Sequence, residues 1–435
     1  MSLFEKILQL KGYPLQKAGK ELAEIQSMGV DEFLQWQQNK AWQMAKFHYE
    51  NNPLYKSLVG NTFPTRWEDL PIVTKKDLQQ PIEQIITKGI KLSDCHVGNT
   101  SGSTGIPFFY AKDKTAHAMT WAVIADRYGW YGLDLSSKQA RFYGIPKEFI
   151  ANKKEVFKDG FMNRQRFSVF DLSDIALEGF VKRFRHTGFD YIYGYTNSLV
   201  MFARYLIKQK LVLKDIAPTI RICICTSETC TPEDHRILEK GFGIPNVREY
   251  GLSETCLTAF DAPGDTWRLT EETLFTEIIN DNGVELNAGN EGRILSTSLY
   301  NTALPMIRYE TGDIGIIAEK RHGIYRSLQQ LSGRTNDTIV LPGGKKAAGL
   351  TFYYISRSVL ESSGVLKEFI IRQTKINQFV FDIVADRDLT NDEIDLVKQK
   401  ITLYLEPGLD IVINRVPMIN RPESGKLKHF YSELN

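Results

Sequence analysis

The sequence has no long apolar run and almost no excess of either charge. A membrane-spanning helix needs about 18 or more consecutive apolar residues, and no stretch of the 435 residues approaches that length. Lys and Arg total 54 against 52 Asp and Glu, so the net charge is only +2. So small a charge indicates no basic surface for nucleic acid. The composition therefore argues against an integral membrane protein and against a nucleic-acid-binding protein.

Cysteine is also scarce. Five cysteines in a chain of this length do not indicate the disulfide framework of a small secreted protein. The first residues, from Met1 to Lys6, carry early charges and lack the apolar core of a secretory signal. Both features predict a cytoplasmic protein in a reducing compartment.

Three of the five cysteines lie close together. Cys223, Cys225 and Cys230 fall within one short segment, and His235 and Cys256 are nearby in sequence. Two thiols separated by one residue on an alternating strand face the same side, and that side is most often buried. A closed zinc site needs four well-spaced ligands. We therefore interpret the cysteine cluster as core packing.

Strand and helix patterns alternate through the middle of the chain, after a mainly helical start. Ile220–Thr226 alternates as a strand. Thr231 and Pro232 then provide the N-cap and the first-turn proline of a helix, and Val247–Tyr250 follows as the next strand. Such alternation predicts an α/β core.

The stretch after about Thr338 has a different pattern. Glu368–Arg372 and Gln378–Val384 are strand-like, and Asp410–Ile413 predicts a closing strand. Between them, Thr390 and Glu393 have the spacing of a capping box that begins a helix. Two strands, a helix and a strand predict a compact α+β unit.

The sharpest motif is a short run of glycine and hydroxyl residues. It consists of Thr100, Ser101, Gly102, Ser103, Thr104, Gly105, Ile106 and Pro107. Glycine allows backbone amides to approach an anion closely, and the four hydroxyls can donate to phosphate oxygens. The run is not a Walker loop, because no Gly-Lys-Ser/Thr follows. Taken alone, it is equally compatible with a flexible turn.

Four further motifs follow in order along the chain. Tyr250-Gly251-Leu252-Ser253-Glu254 comes directly after a predicted strand. Asp313 follows a predicted turn, where its carboxylate could accept both hydroxyls of a ribose. Ser332–Asp337 lies where the terminal unit begins, and Lys426 lies on a glycine-containing loop near the C-terminus. Each motif is weak alone, but their order and spacing together are specific.

In this order and spacing the motifs resemble the adenylate-forming superfamily of acyl-CoA ligases. The resemblance is strongest to the phenylacetate-CoA ligase branch, especially its relatives found with capsule-polysaccharide genes, and it covers essentially the whole chain. Other matching segments are Trp67–Lys75, Phe170–Ser173, Gly194–Tyr195 and Leu341–Lys345. The resemblance implies an α/β fold with a large multi-sheet adenylation domain over residues 1–332. A hinge at 333–337 and a small, mobile α+β lid domain at 338–435 would follow.

The resemblance also implies an activity. An enzyme of this kind uses ATP and Mg²⁺ to activate a carboxylic acid as its acyl-AMP, releasing pyrophosphate, and then transfers the acyl group to coenzyme A or another thiol. Its partners would be a small-molecule acid and ATP, without nucleic acid or membrane, and homodimers occur among such enzymes. Two alternatives stay open: transfer to an amine or hydroxyl in polysaccharide or small-molecule biosynthesis, and a nucleotide-binding protein with reduced catalysis.

Roles for individual residues come from the same resemblance. Lys426 would bridge the attacking carboxylate and the α-phosphate, and Glu254 would hold Mg²⁺ between phosphates. Tyr195, Asn197 and Cys256 would line the substrate pocket. The implied nucleotide-binding positions are Thr100 to Gly105, Ser227, Glu228, Tyr250, Gly251, Ser253, Asp313 and Arg334.

The sequence departs from the superfamily at two places. Asn336 occupies the hinge position, where relatives usually carry Asp or Lys, which bears on the thioester-forming step. Leu257–Phe260 replaces a stretch that is often Gly-Pro-Gly in the phenylacetate branch. The pocket wall is therefore expected to differ, and the metal site of some relatives is not expected.

Overall fold

The computed structural model describes residues 2–100, 108–143, 157–169, 172, 174–264, 266–334, 338–343, 346–348, 366–419 and 430–434. Helices lie at α1 (Leu3–Leu10), α2 (Leu15–Gln26), α3 (Val30–Asn51), α4 (Pro53–Val59), α5 (Lys75–Leu78), α6 (Ile82–Ile85), α7 (Lys114–Gly129), α8 (Asp174–His186), α9 (Thr196–Lys208), α10 (Leu213–Ile216), α11 (Pro232–Phe242) and α12 (Asn391–Tyr404). Across these described ranges, none of the helices combines the length and the apolar character that a bilayer crossing requires.

Within the described ranges the strands form five sheets. They lie at β1 (His96–Thr100), β2 (Phe108–Lys112), β3 (Gln139–Phe142), β4 (Arg164–Phe167), β5 (Tyr191–Tyr195), β6 (Ile222–Thr226), β7 (Asn246–Leu252), β8 (Cys256–Ala262), β9 (Thr266–Leu269), β10 (Leu274–Ile279), β11 (Glu291–Ser298), β12 (Tyr309–Ile317), β13 (Leu328–Arg334), β14 (Thr338–Val340), β15 (Lys346–Ala348), β16 (Leu366–Lys375), β17 (Gln378–Ala385), β18 (Asp410–Arg415) and β19 (Phe430–Ser432). Helices and several sheets in one chain confirm the predicted α/β class.

The chain divides into two compact units. The first comprises Met1–Thr311 with Gly315–Gln330, and the second comprises Gly312–Ile314 with Leu331–Asn435. Residues 335–337 of the expected hinge lie outside the described residues. The domain limits inferred from the sequence therefore stay a prediction.

A seven-stranded sheet in the order β4-β3-β5-β6-β7-β8-β9 organises the first unit. The strands from β4 through β7 are parallel to their neighbours, whereas β8 and β9 are antiparallel. Parallel strands arise because helices connect them, and α9 and α11 are such connections. Both the β6 strand and the α11 helix that follows it were predicted from the sequence.

Local capping explains why α11 begins where it does. The Thr231 side chain accepts a hydrogen bond from the Asp234 backbone N–H, and the Asp234 carboxylate accepts from the Thr231 N–H in return. Pro232 occupies the first turn, where its missing N–H has no intrahelical partner to lose. Gly243 ends the helix at φ +66°, a left-handed conformation that glycine adopts without strain. The predicted helix start is confirmed.

One face of this sheet is covered by an aromatic core. Phe142, Phe167, Phe184 and Phe202 are fully or almost fully buried, and the rings of Phe142 and Phe167 stack with centroids 4.9 Å apart. Offset aromatic pairs add about 0.5–1.5 kcal/mol beyond the apolar area that they bury. This core fixes the parallel strands whose ends carry the candidate site.

The cysteine pair of β6 belongs to this core. Cys223 and Cys225 are buried there, which agrees with the packing interpretation, whereas Cys256 packs in the other large core cluster of the first unit. A hydrogen bond with Cys223 raises the pKa of Cys225, and burial acts in the same direction. The Cys225 thiol is therefore protonated at neutral pH, as suits a packing residue.

A buried ionic cluster stabilises the first unit. The Glu272 carboxylate is fully buried and accepts hydrogen bonds from Arg127 Nη2 at 2.9 and 2.8 Å, and Arg268 also donates to it. We expect Glu272→Ala to lower the free energy of unfolding by about 3–5 kcal/mol, because it leaves the fully buried Arg127 with Asp126 as its remaining carboxylate partner and removes the ion pair of the half-buried Arg268. Urea unfolding followed by circular dichroism measures this loss.

An exposed glutamate provides the control for this experiment. Glu178 forms an i,i+4 pair with Lys182 on the surface of α8, and Glu178→Ala should leave the unfolding midpoint unchanged because exposed pairs contribute little. Equal midpoints for the Glu272 and Glu178 variants would contradict the stabilising role of the buried cluster.

The second unit contains a four-stranded sheet in the order β18-β17-β16-β19 with α12. The two predicted strands, β16 and β17, pair in an antiparallel hairpin, and Thr390 and Glu393 form the predicted capping box of α12. The closing strand β18 pairs parallel to β17. Strand β19 was not predicted, because three residues give too short a pattern to identify.

One local prediction was wrong. The sequence Glu310-Thr311-Gly312-Asp313 was expected to contain a turn, but β12 runs through it without interruption. Buried residues alternate with half-buried ones along this strand, and pairing with neighbouring strands satisfies its backbone groups. Left-handed backbone occurs at two positions here, at Arg308 before the strand with φ +43° and at Gly312 within it with φ +77°.

Candidate functional site

The carboxyl ends of three neighbouring parallel strands bring together several of the residues that the sequence analysis selected. Tyr195 at the end of β5 is in register with Thr226 at the end of β6, and Thr226 is in register with Glu249 of β7. Ser227–Glu228 and Tyr250 come directly after these positions. In parallel α/β sheets, ligands bind outside the carboxyl ends of the strands. The selected residues thus lie at the edge where a binding site is expected.

Glu228 links the end of β6 to the start of α9. Its Oε2 accepts a hydrogen bond from the Asn197 backbone N–H at 2.7 Å, and its carbonyl accepts from Thr196 Oγ1 at 3.1 Å. A carboxylate at a helix N-terminus is stabilised by the helix dipole and by the first backbone N–H groups, which have no hydrogen-bond partner within the helix. Ser227, one residue earlier, has φ +69°. Strained residues of this kind cluster at functional sites.

The turn between β7 and β8 is unusually tight at Gly251. A Cβ atom on Gly251 would approach the Cys256 carbonyl oxygen to 2.9 Å and Leu257 Cα to 3.1 Å. The register of β7 and β8 shifts between Tyr250 and Gly251, and Cys256 has φ +138°. A β-bulge of this kind changes the direction in which the neighbouring side chains point. Buried Tyr250 packs edge-on against the Trp267 ring.

Glu254 lies in this turn with only 6% of its surface exposed. Tyr309 Oη donates a hydrogen bond to its Oε1 at 3.1 Å. Within the described part of the chain, Oε2 accepts no hydrogen bond. A carboxylate oxygen left available beside a phosphate site suits Mg²⁺, which typically binds one or two carboxylates together with substrate phosphates. Glu254 therefore fits the role of the Mg²⁺ ligand.

The hairpin of β1 and β2 carries the hydroxyl-rich run. Thr100 pairs with Phe108 at its closed end, while residues 101–107 lie outside the described residues. A Cβ atom on Gly98 would come within 2.4 Å of Tyr110 Oη, so the absence of a side chain there makes room for the phenol. Burial, helped by the nearby Glu254 charge, raises the pKa of Tyr110 to about 12, and Ser253 opposes that shift. Tyr110 of the hairpin therefore lies near the Ser253–Glu254 turn.

The remaining selected residues lie on the C-terminal half of the chain. Asp313 is buried on β12, on the face of that strand that also carries Tyr309. Arg334 ends β13, where the structure describes its backbone only. Asn336 and Lys426 lie outside the described residues. Their roles stay predictions.

Sequence reasoning missed a polar cluster at the same sheet edge. Tyr193 Oη donates to Glu249 Oε1 at 2.6 Å, and burial raises the pKa of Glu249. The Arg141 guanidinium lies 4.0 Å from the centroid of the Tyr143 ring and 4.8 Å from that of Tyr193. A signal was present in the alternating tyrosines of β5, which predict an aromatic face on one side of that strand.

Similarities in sequence and structure connect the chain with known proteins. No protein-family model matches the chain. It is 24% identical over 356 residues to phenylacetate-coenzyme A ligase of Escherichia coli strain K12, covering 74% of this chain and 76% of that protein. It is 22% identical over 412 residues to protein CapK of Staphylococcus aureus, covering 91% and 87%.

A solved structure shows the same fold. The chain is similar to 2-hydroxyisobutyryl-CoA ligase in its postadenylation state, with a TM-score of 0.69, 15% identity, and coverage of 94% of this chain and 91% of that one. The similarity to E. coli phenylacetate-coenzyme A ligase and to CapK extends over most of the sequence. The chain is therefore similar in sequence to phenylacetate-coenzyme A ligase and CapK, and it shares the fold of 2-hydroxyisobutyryl-CoA ligase.

Proposed function

We propose that this protein is an ATP- and Mg²⁺-dependent ligase that converts a carboxylic acid to its acyl-AMP and releases pyrophosphate. One observation carries the proposal: Tyr195, Ser227–Glu228 and Tyr250 lie together at the carboxyl edge of the parallel sheet. Tyr110, on the hairpin that holds the hydroxyl-rich run, lies close enough to Ser253 and Glu254 for both to act on its pKa. A nucleotide bound at this edge would have both its base and its phosphates within reach of the chain.

The reaction is difficult because its two reactants repel each other. A carboxylate must attack the α-phosphate of ATP, so cationic groups and donors are needed where charge builds up. Mg²⁺ held at Glu254 would neutralise phosphate oxygens. Asp313 would accept hydrogen bonds from the ribose hydroxyls, and Lys426 would donate to the carboxylate and the α-phosphate. Each residue contributes positioning or charge stabilisation, and none forms a covalent intermediate.

The acyl acceptor in this proposal is coenzyme A or another thiol. E. coli phenylacetate-coenzyme A ligase, to which the chain is similar, carries that acceptor in its name. Asn336, in place of the usual hinge Asp or Lys, favours a second candidate, in which an amine or hydroxyl accepts the acyl group. Mass spectrometry of reactions supplied with coenzyme A or with amines separates the two. A clean thioester would eliminate the second candidate.

The scarcity of cysteine supports cytoplasmic operation, where ATP and coenzyme A are both available. A homodimer is the oligomeric state that we propose to test first by light scattering.

Acid-dependent exchange of radioactive pyrophosphate into ATP tests adenylation directly. The purified protein, incubated with ATP, Mg²⁺ and a broad panel of carboxylic acids, should exchange label with a subset of the acids and not without acid. Mg²⁺ omission should abolish the signal. Absence of exchange with every acid in the panel, by protein that is folded and binds ATP, would overturn the proposed function.

Tyr195 should influence which acid is accepted. Its side chain is buried at the end of β5 and packs on the Tyr143 ring, with centroids 4.2 Å apart. Tyr195→Ala removes one of the two aromatic rings, and with it the stacking surface for a flat acid. We therefore expect kcat/KM for flat, aromatic acids to fall about 10-fold or more relative to kcat/KM for short aliphatic acids. Exchange assays with both classes measure this ratio. An unchanged ratio would remove Tyr195 from the acid pocket.

A further inference from the structure

Lys112 is a buried cation that the proposed mechanism does not use. It ends β2, directly opposite His96 of β1, and only 5% of its surface is exposed. Its Nζ lies 5.6 Å from the centroid of the Tyr110 ring. Among the residues that the structure describes, no hydrogen bond or ion pair reaches its ammonium group. A buried ammonium group without a counterion is costly.

The two histidines that share this environment do not compensate the charge. The rings of His96 and His117 stack with centroids 4.1 Å apart, and His117 Nε2 accepts a hydrogen bond from Trp121 Nε1 at 3.1 Å. Burial lowers the pKa of His96 to about 4 and that of His117 to about 3, and the neighbouring Lys112 acts in the same direction. Both imidazoles are therefore neutral at pH 7, and neither supplies a negative charge.

Two acidic groups lie close enough to act on Lys112. Burial lowers the pKa of Lys112, and Cys256 and Glu254 oppose that shift by their charge. Neither group lies within ion-pair or hydrogen-bond distance of the Lys112 ammonium among the described residues, and the Glu254 carboxylate accepts a hydrogen bond from Tyr309. Lys112 thus lies near Cys256 of the expected acid pocket, with its charge offset only from a distance by Glu254.

The position of Lys112 along the hairpin separates it from the hydroxyl-rich run. That run connects Thr100 to Phe108, and Lys112 is four residues further along β2. At about 3.3 Å per residue the separation is about 13 Å along the strand. The Lys112 backbone therefore lies at the opposite end of β2 from the point where the hydroxyl-rich run joins the hairpin.

We propose that Lys112 binds a second negatively charged group of the acid substrate, so that the preferred acids carry a carboxylate in addition to the one that is activated. This inference rests on the proposed function and adds the class of acid to it. A second carboxylate would supply the missing counterion, and the neutral histidines would allow it to approach without protonating it. Charge-assisted hydrogen bonds of this kind are among the strongest in proteins.

Matched pairs of acids test the proposal. Each pair consists of a dicarboxylic acid and its monoamide, such as succinate and succinamate or glutarate and glutaramate, which differ mainly in one charge. Wild-type protein should exchange pyrophosphate at least about 10-fold faster, in kcat/KM, with the diacid of the best pair than with its monoamide. Lys112→Met should lower this diacid-to-monoamide ratio by about 10- to 100-fold. Lys112→Arg, which keeps the charge, should retain a preference for the diacid.

A nearby lysine provides the control. Lys114→Met removes the same charge two residues later, at the start of α7, and should leave the ratio at the wild-type value. Thermal unfolding of each variant with ATP verifies that the fold is retained. Wild-type exchange that favours the monoamide in every pair would overturn the inference, as would an equal loss for both acids in Lys112→Met.

A binding measurement separates this inference from the proposed function. The thermal midpoint of wild-type protein with Mg²⁺ and α,β-methylene-ATP should rise more with the diacid than with its monoamide, and Lys112→Met should remove the difference. This shift needs no catalysis. Suppose that no acid supports exchange but the rise in thermal midpoint with the diacid depends on Lys112. The adenylation proposal then fails, while the carboxylate site at Lys112 stands. If acids support exchange but the thermal midpoint shows no difference that depends on Lys112, only the inference of a second carboxylate site fails.

Discussion

Lys426→Ala should lower acid-dependent ATP–pyrophosphate exchange by about 100- to 1,000-fold, while the dissociation constant of ATP changes little. The proposed role of Lys426 is to stabilise charge at the α-phosphate and the attacking carboxylate, and the loss of one preorganised donor of this kind typically costs a factor of that size. An interaction made mainly in the transition state affects kcat more than ground-state binding. Exchange kinetics and calorimetric titration with ATP measure the two quantities separately.

Lys428 provides a matched control in the same segment of sequence. Lys428→Ala removes an identical charge two positions later and should retain exchange within about 3-fold of wild type, because the proposed role belongs to Lys426 and not to positive charge in this segment as such. Full exchange activity in Lys426→Ala would show that another residue provides the charge at the α-phosphate. Loss of ATP binding in the same variant would instead assign Lys426 to ground-state affinity.

Glu254→Gln should lower exchange by about 100-fold or more at limiting Mg²⁺. Glutamine has the shape of glutamate and can still accept the hydrogen bond from Tyr309, but it lacks the negative charge that a hard cation requires. The variant should therefore need a much higher Mg²⁺ concentration for half-maximal rate. Calorimetric titration of α,β-methylene-ATP with and without Mg²⁺ provides a readout without turnover: the gain in affinity on adding Mg²⁺ should shrink.

Two substitutions distinguish charge from packing at this position. Tyr309→Phe removes the hydroxyl that donates to Glu254 but keeps the carboxylate charge, and it should raise the Mg²⁺ requirement far less than Glu254→Gln does. Glu233→Gln, at the exposed start of α11, removes one carboxylate charge elsewhere in the first unit and should leave the Mg²⁺ dependence unchanged. Identical Mg²⁺ curves for wild type and Glu254→Gln would exclude Glu254 as the ligand.

Local chemistry was sufficient to predict much of the fold. The α11 helix was predicted because Thr231 and Pro232 determine its start within a few residues, and the structure contains the corresponding cap. Strand β6 was predicted because its apolar residues are bounded by clear helix and turn signals. The segment around Asp313 was predicted incorrectly, since glycine and acidic residues favour turns locally while sheet pairing and burial favoured a strand.

The candidate site was only partly predictable. Tyr195, Glu228 and Tyr250 were selected by motif, and the parallel order of β5, β6 and β7 explains why they meet at one edge. Tyr309 and Lys112 were not selected, because their relation to Glu254 joins segments distant in sequence. No local period or spacing encodes such a contact. Gly98 contained a weak signal, since a glycine inside a strand indicates the close approach of another group.

A crystal structure with Mg²⁺ and α,β-methylene-ATP tests the central claim most directly, because this analogue binds like ATP but cannot release pyrophosphate. We predict that the adenine lies between Ser227–Glu228 and Tyr250, that Asp313 accepts hydrogen bonds from the ribose, and that Mg²⁺ bridges Glu254 and the phosphates. A nucleotide bound away from the carboxyl edge of β5, β6 and β7, with Glu254 and Asp313 both remote from it, would contradict the claim.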